Sequence, residues 1–462
     1  MNKIAKLLIA SALIANLSCS NSFSQVLPPA KQSSNTVLNL QAVVDYTMSK
    51  NFDVDIAKCD VQEAKGQYIR SYAMLMPSLR AQLSGENFHG GEVIYFAQPV
   101  SLDRVTYRPT LSADYQIYTG GKPFFEIGVY KNKYLQAQKA YDDATQKSLY
   151  EALSKYYDWL RTYAAYKTTE QSLKEAQTEL RINNDRFVSG FGTELEITEA
   201  KALVTERKNQ LLQAKNKQET SRIELKAVLN VPFSQDVSAE KPTIEPIEFV
   251  QEDITLPQLY ENAIKNRPDV KALDYAIRAA KNELKSARSD IMPVINLSGY
   301  VRGIGPEMSD LTRTTQGAIS LNVDLLRYMG VNVYGNIQEV KARLNKAILQ
   351  KEKLLNDIYG QIGQCYYDYQ LYKDQLDVAQ EKIDAAQKQY KITQAKEEAG
   401  DASKLDILKA QSVLTQAQLE YQTAAMNNNV SQLALLYKVG GLTPDVVVNN
   451  KQTNSKISMS TK

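Results

Sequence analysis

The amino-acid sequence predicts a mainly helical protein built as a tandem repeat, with four amphipathic β-strands set between very long helices. Three observations carry this prediction. Prolines are missing between Pro123 and Pro232 and again between Pro306 and Pro444, which leaves two windows where a helix can run unbroken. "GFGTELEITEAK" (190–201) and "GDASKLDILKAQ" (400–411) share one layout: Gly190 matches Gly400, Leu195-Glu196-Ile197 matches Leu405-Asp406-Ile407, and Ala200 matches Ala410, all at one offset. Four short segments alternate apolar and polar residues with the period of a strand that has one face of each kind.

Composition narrows the class. The 462 residues are 43% hydrophobic and 23% charged, the balance of a folded chain and not of a disordered one. A net charge of +3 without a polybasic block argues for no nucleic acid partner. A single His, against 28 Tyr, weakens any reading that needs a metal centre or acid–base catalysis, so no catalytic residue, cofactor or metal ligand is assigned.

Residues 1–24 read as an export signal. Lys3 and Lys6 precede "LLIASALIANL" (7–17), an apolar core too short to span a bilayer. "SFSQ" places Ser22 and Ser24 at the small-residue spacing for cleavage before Gln25. Cys19 is an alternative, lipidated first residue, against which Asn16 stands where a lipobox carries Leu, Val or Ile. Cys59 and Cys365 remain, to pair or to stay free.

The first repeat (25–235) opens with "VVDYTMSKNFDV" (43–54), which parallels "LYENAIKNRPDV" (259–270) in the second repeat (256–443). Strands follow Pro77 and Pro293, at "PSLRAQLSG" (77–85) and "PVINLSGYV" (293–301), and their partners are "TLSADYQIY" (110–118) and "ISLNVDLL" (319–326). They predict two hairpins with long connections, one holding His89 and the other "GPEMSDLTR". The first proline-free window is rich in Ala, Leu, Lys, Glu and Gln, and allows one helix from Phe125 to Val188, roughly 95 Å long at about 1.5 Å per residue. Gly190 and Gly192, and later Gly400, end the long helices in a turn. Beyond the turns, Ile197, Ala200, Val204, Leu211 and Ala214, and likewise Ile407, Ala410, Leu414, Ala417, Tyr421 and Ala424, step by threes, fours and sevens, the mark of a coiled-coil seam whose alanines let helices approach closely. A linker (236–255) containing Pro242 and Pro246 joins the halves, and a polar tail (444–462) follows.

Four strands are too few to close a barrel, and open edges cannot stand in lipid, where unpaired backbone groups cost several kcal/mol each. Membrane strands of this kind need partner chains, and three chains would supply an even set of twelve, within the outer-membrane range. Tyr95, Phe96, Tyr107, Tyr115, Tyr118, Tyr300 and Tyr328 would supply interfacial girdles. A soluble sheet packed on helices is the competing reading, and the export signal favours the membrane.

The duplicated layout, "QIYTGGKPFFEIGVYKNKY" running from strand into long helix, and the paired "RFVSGFGTELEITEAKALV" and "KEEAGDASKLDILKAQSVL" resemble the TolC-like outer-membrane efflux family over about 36–443. The resemblance implies a homotrimer with a twelve-stranded barrel in outer-membrane lipid and a helical tunnel through the periplasm. It further implies a passive exit duct for an inner-membrane transporter joined through a periplasmic adaptor, in efflux or in type I secretion. The glycine turns then lie at the periplasmic tip, and the second-repeat motif resembles the inner pair that closes the tunnel. Two Asp residues ring that constriction in the family. Asp406 matches the first and Lys409 replaces the second, with Asp401 and Glu196 as further acidic candidates. The family's Tyr and Arg latch positions are Glu397 and Ala402 here, while Glu196 matches an acidic latch partner. Asp114 and Asp324 are candidate barrel-lumen residues. A different reading of the acidic positions is a solvated helix start that complements the helix dipole. The alternative function is a soluble periplasmic coiled-coil scaffold or adaptor. An exported enzyme finds no HExxH or GxSxG, and "GGKPF" (120–124) lacks the spacing of a Walker loop.

Overall fold

The computed structural model describes residues 36–95, 98–101, 104–232, 234–240, 243–250, 254–323 and 331–448. The export signal with Cys19, as well as Phe96, Asp324, Tyr328 and the chain past 448, lie outside the described residues. In chain order the elements are β1 (Thr36–Leu38), α1 (Leu40–Lys50), α2 (Phe52–Ser71), β2 (Ser78–Phe88), β3 (Glu92–Tyr95), β4 (Gln98–Ser101), β5 (Arg104–Tyr118), α3 (Lys122–Val188) and α4 (Glu194–Val228). They continue with β6 (Val237–Ala239), α5 (Leu256–Asn266), α6 (Pro268–Ser289), β7 (Val294–Glu307), β8 (Asp310–Asn322), α7 (Val331–Glu398), α8 (Lys404–Val439) and α9 (Pro444–Val448).

The two long helices have 67 and 68 residues. At about 1.5 Å per residue each runs about 100 Å. Each folds back on a shorter helix, α3 on α4 and α7 on α8, and α3 also packs against α2, α6 and α8. The predicted seams are realised and run further than the apolar residues do. After Ile197 and Ala200 the buried positions of α4 continue through Gln218, Ser221 and Leu225, and those of α8 through Asn428, Ser431 and Leu435. The polar seam residues occupy equivalent places in the two repeats. Ser221 and Thr162 share a 2.6 Å hydroxyl contact there.

The shorter helices stack end to end beside the long ones, and the joints are duplicated. Asn51, which caps α2, donates from Nδ2 to the carbonyl of Val228 at the end of α4 (3.2 Å). Arg267, at the start of α6, donates from Nη1 to the carbonyl of Lys438 near the end of α8 (3.0 Å). A bidentate contact to Asp269 (3.0 and 2.6 Å) holds that guanidinium in place. The same joint is therefore made twice with different chemistry.

The core lies around these joints, midway along the long helices. Leu149, Leu153, Tyr157 and Trp159 of α3 meet Ile358 and Ile362 of α7, Leu433 and Leu435 of α8, and Leu38, Val43 and Leu225. The linker closes over this core. β6 pairs in parallel with β1, and residues 245–250 are held by two buried amides of α8. Asn429 accepts from the Ile247 N–H and donates to the Glu245 carbonyl, both at 2.9 Å. Gln432 accepts from the N–H groups of Phe249 (2.7 Å) and Val250 (3.1 Å) and donates to the Ile247 carbonyl (2.9 Å). Residues 444–448, expected as the start of a polar tail, form α9 instead, with Val447 buried in the same core. Cys59 is exposed and Cys365 half-buried, and both are free thiols. Burial pushes the Cys365 thiol above its ordinary value.

The four predicted strands form one antiparallel sheet in the order β2-β5-β7-β8. They are longer than the alternating segments suggested. β7 and β8 pair out to Glu307 and Asp310, so the expected long connection is a tight turn. The first connection is long and carries its own hairpin, β3 with β4.

Candidate functional site

The duplicated glycine motifs form two solvent-exposed helical turns. Gly190 ends α3 with φ +79° and Gly400 ends α7 with φ +83°, a backbone region open to glycine at little cost. In the first turn Gly190 N–H donates to Phe187 O (3.0 Å) and Phe191 N–H to Arg186 O (2.8 Å). In the second, Gly400 N–H donates to Glu397 O (2.9 Å) and Asp401 N–H to Lys396 O (2.8 Å). Both are Schellman closures, satisfying carbonyls that a helix end otherwise leaves unpaired. Gly192 has a different reason: a Cβ there would lie 2.8 Å from the Phe187 nitrogen. Ala402 fills the equivalent place in the second turn.

The next helix starts on a capping box in each turn. Glu196 Oε2 accepts from the Thr193 N–H (2.9 Å), while Thr193 Oγ1 accepts from the Glu196 N–H (3.3 Å). Asp406 Oδ2 accepts from Ser403 N–H (3.0 Å) and Ser403 Oγ (2.7 Å), and Ser403 Oγ accepts from Asp406 N–H (3.2 Å). The bonds from the Ser403 N–H and hydroxyl hold the Asp406 carboxyl below its usual range, and the Lys409 ammonium one turn on adds to this. The repeated acid is thus the third helical residue of a reciprocal cap, which is needed where a helix starts in water without neighbours. Glu196 also stands 3.9 Å from Arg186 across its own turn. Lys409 and Asp401 are exposed on the second turn.

Chemistry separates the turns. The first exposes Val188 (84%) and Phe191 (81%), flanked by Phe187 and Leu195, which are also exposed. The matching positions of the second are Glu398, Asp401, Glu397 and Leu405. One turn is therefore apolar and the other acidic. Sequence reasoning had singled out the acids and passed over the apolar cluster, although "RFVSGF" already shows it.

The sheet is the second candidate region. Leu79, Leu83, Leu111, Ala113, Tyr115, Leu297, Val301, Ile319 and Leu321 share one face by register. Leu79 (75%) and Ile319 (74%) are bare. Asp114 lies on the opposite face, level with Ser78 and Ser298. Among the described residues no helix is long and apolar enough to cross a membrane.

The profile described as "Outer membrane efflux protein" matches residues 43–231 and 259–441. The chain belongs to the outer membrane efflux protein family. It is 21% identical over 418 residues to the toluene efflux pump outer membrane protein TtgC of Pseudomonas putida, covering 87% of this chain and 82% of that one. It is 19% identical over 415 residues to the cation efflux system protein CusC of Escherichia coli O157:H7, covering 87% and 86%. The crystal structure of the CmeC outer membrane channel of Campylobacter jejuni shares the fold with a TM-score of 0.75 at 17% identity, covering 90% of both chains. Like its family, the chain is an outer-membrane component of an efflux system, which decides against a soluble scaffold.

Proposed function

We propose that this efflux protein works as a passive homotrimeric duct, in which three copies of the sheet close one barrel in outer-membrane lipid. The observation that carries the reading is the sheet itself. Among the described residues neither edge strand, β2 or β8, has an outer partner, and one face is mainly apolar and exposed. In lipid the unpaired edges would be costly, and pairing β2 of one copy with β8 of the next removes them. Three copies of the four-stranded sheet give twelve strands, an even number of the kind bacterial barrels use. The long helices then project into the periplasm as a tunnel, with the glycine turns at its far end.

In this reading the second turn lines the constriction through Asp406, with Asp401 and Lys409 beside it. Glu196 belongs to the outer turn, where the apolar cluster of Phe187, Val188, Phe191 and Leu195 is suited to a periplasmic adaptor. Asp114 faces the lumen. Relatives are named for cargoes from toluene to cations. One family thus serves unlike cargoes, which supports a duct that receives its cargo from an inner-membrane transporter.

The deciding measurement is the mass of the protein extracted by detergent from purified outer membranes. A trimer is expected. A monomer in that extract would leave the sheet edges unpaired in lipid and would overturn the reading.

A further inference from the structure

The polar face of the sheet carries guanidinium groups at consecutive levels. Arg80 stands opposite Ser112, Arg302 opposite Thr110 and Thr314, and Arg108 opposite Ser84, each one polar-face step beyond the last. Same-face residues along a strand are about 7 Å apart, so these are three adjoining tiers. Arg104 follows further along, opposite Phe88. Among the described residues three carboxylates of β2, β5 and β8 share the face, and Asp310 stands at the turn end of β8, one step past Thr312. Asp114 lies one tier before Arg80, and Glu86 is taken up by Arg108 at 2.6 Å. Arg302 lies over the ring of Tyr300 (4.7 Å), whose hydroxyl donates to Gln316 (2.7 Å), so among the described residues its charge meets a ring face and not an acid.

We infer that the barrel is an anion-favouring filter, built from Arg80 and Arg302 and directed at small phosphate- or carboxylate-bearing solutes. This rests on the trimeric duct proposed above. Closing the barrel sets β8 of one copy beside β2 of the next. The polar-face row of β8 from Thr312 through Thr314, Gln316 and Ala318 to Ser320 carries no carboxylate, and Asp310 stands beyond it at the turn. Threefold repetition turns the tiers into rings, and a pore with low-dielectric walls concentrates their field on ions of opposite sign. Guanidinium stays charged at every working pH, so the bias is permanent. The acidic second turn sits at the other end of α7, giving the duct ends of opposite sign.

The test is the reversal potential of purified trimers in planar bilayers under a KCl gradient, for the native protein, R80Q/R302Q and R80K/R302K. The Gln variant is expected to lower the chloride-to-potassium permeability ratio by roughly twofold or more, and the Lys variant to retain it. A ratio unmoved by Gln, or moved as far by Lys, overturns the inference while leaving the duct intact. Native protein that assembles no trimer or conducts nothing overturns both. If the Gln variant does not assemble, tripolyphosphate decides with the native trimer. Block from the barrel side alone supports the filter, and block from neither side or equally from both overturns it.

Discussion

Asp406 shows how much one residue can be asked to do. Its carboxylate closes a reciprocal cap with Ser403, and both bonds from Ser403 favour the charged form. Because its folded-state value is depressed, the cap contributes fully above the ordinary carboxylate range, near about pH 4. It is lost as pH falls through the depressed value. The protection of residues 404–407 against amide exchange, relative to the unfolded-chain rate at the same pH, should therefore fall on acidification below about pH 4, and in Asp406→Asn that acid-induced step should vanish. A step of equal size in the variant would remove Asp406 from the cap's titration. The motif was legible because caps and turn glycines are local chemistry, readable without neighbours. For its partner Glu196 two readings stood side by side, a latch implied by the family resemblance and a helix start, and within the chain its carboxylate caps its own helix beside Arg186.

At the scale of elements, the seams were readable from their steps of three and four, and both helical windows filled as the missing prolines allowed. The polar residues in those seams were not. Gln218, Ser221, Asn428 and Ser431 read as breaks in an apolar pattern, yet each is buried at a seam position. Asn429 and Gln432 go further, because they offer amide donors and acceptors to linker residues 245–250, which lie outside the β6 strand. Removing one such partner leaves buried backbone groups unpaired, at about 1–3 kcal/mol each. Gln432→Ala should lower thermal stability by an amount of that order and expose residues 245–250 to protease. Resistance of that segment with stability unchanged would show that the linker is held by its apolar residues Ile244, Phe249 and Val250 alone. The second hairpin came out tighter than expected for a related reason: strand pairing continues past the alternating residues wherever backbone groups still meet.

For the whole molecule the two faces of the sheet make opposite demands. Ile319 and Ser320 are neighbours on β8 that point to opposite faces. Ile319→Arg should cost about 2–4 kcal/mol if that face meets the bilayer midplane, while Ser320→Arg on the pore side should be tolerated. Trimer yield from outer membranes checks both. Equal yields would mean that Ile319 faces water, as it would in a soluble sheet.

The sequence by itself determined the periods. Helix windows, strand alternation, the glycine turns and the doubling of the chain are all encoded locally, because proline, glycine and apolar spacing act within a few residues. Only the tertiary structure decided what those elements meet. It joined helices end to end through Asn51 and Arg267 and gave the linker to Asn429 and Gln432. It also set Arg80, Arg302 and Arg108 on consecutive tiers of one face. These residues lie far apart in the chain, and register and packing, which brought them together, are properties of the folded chain that no local pattern contains.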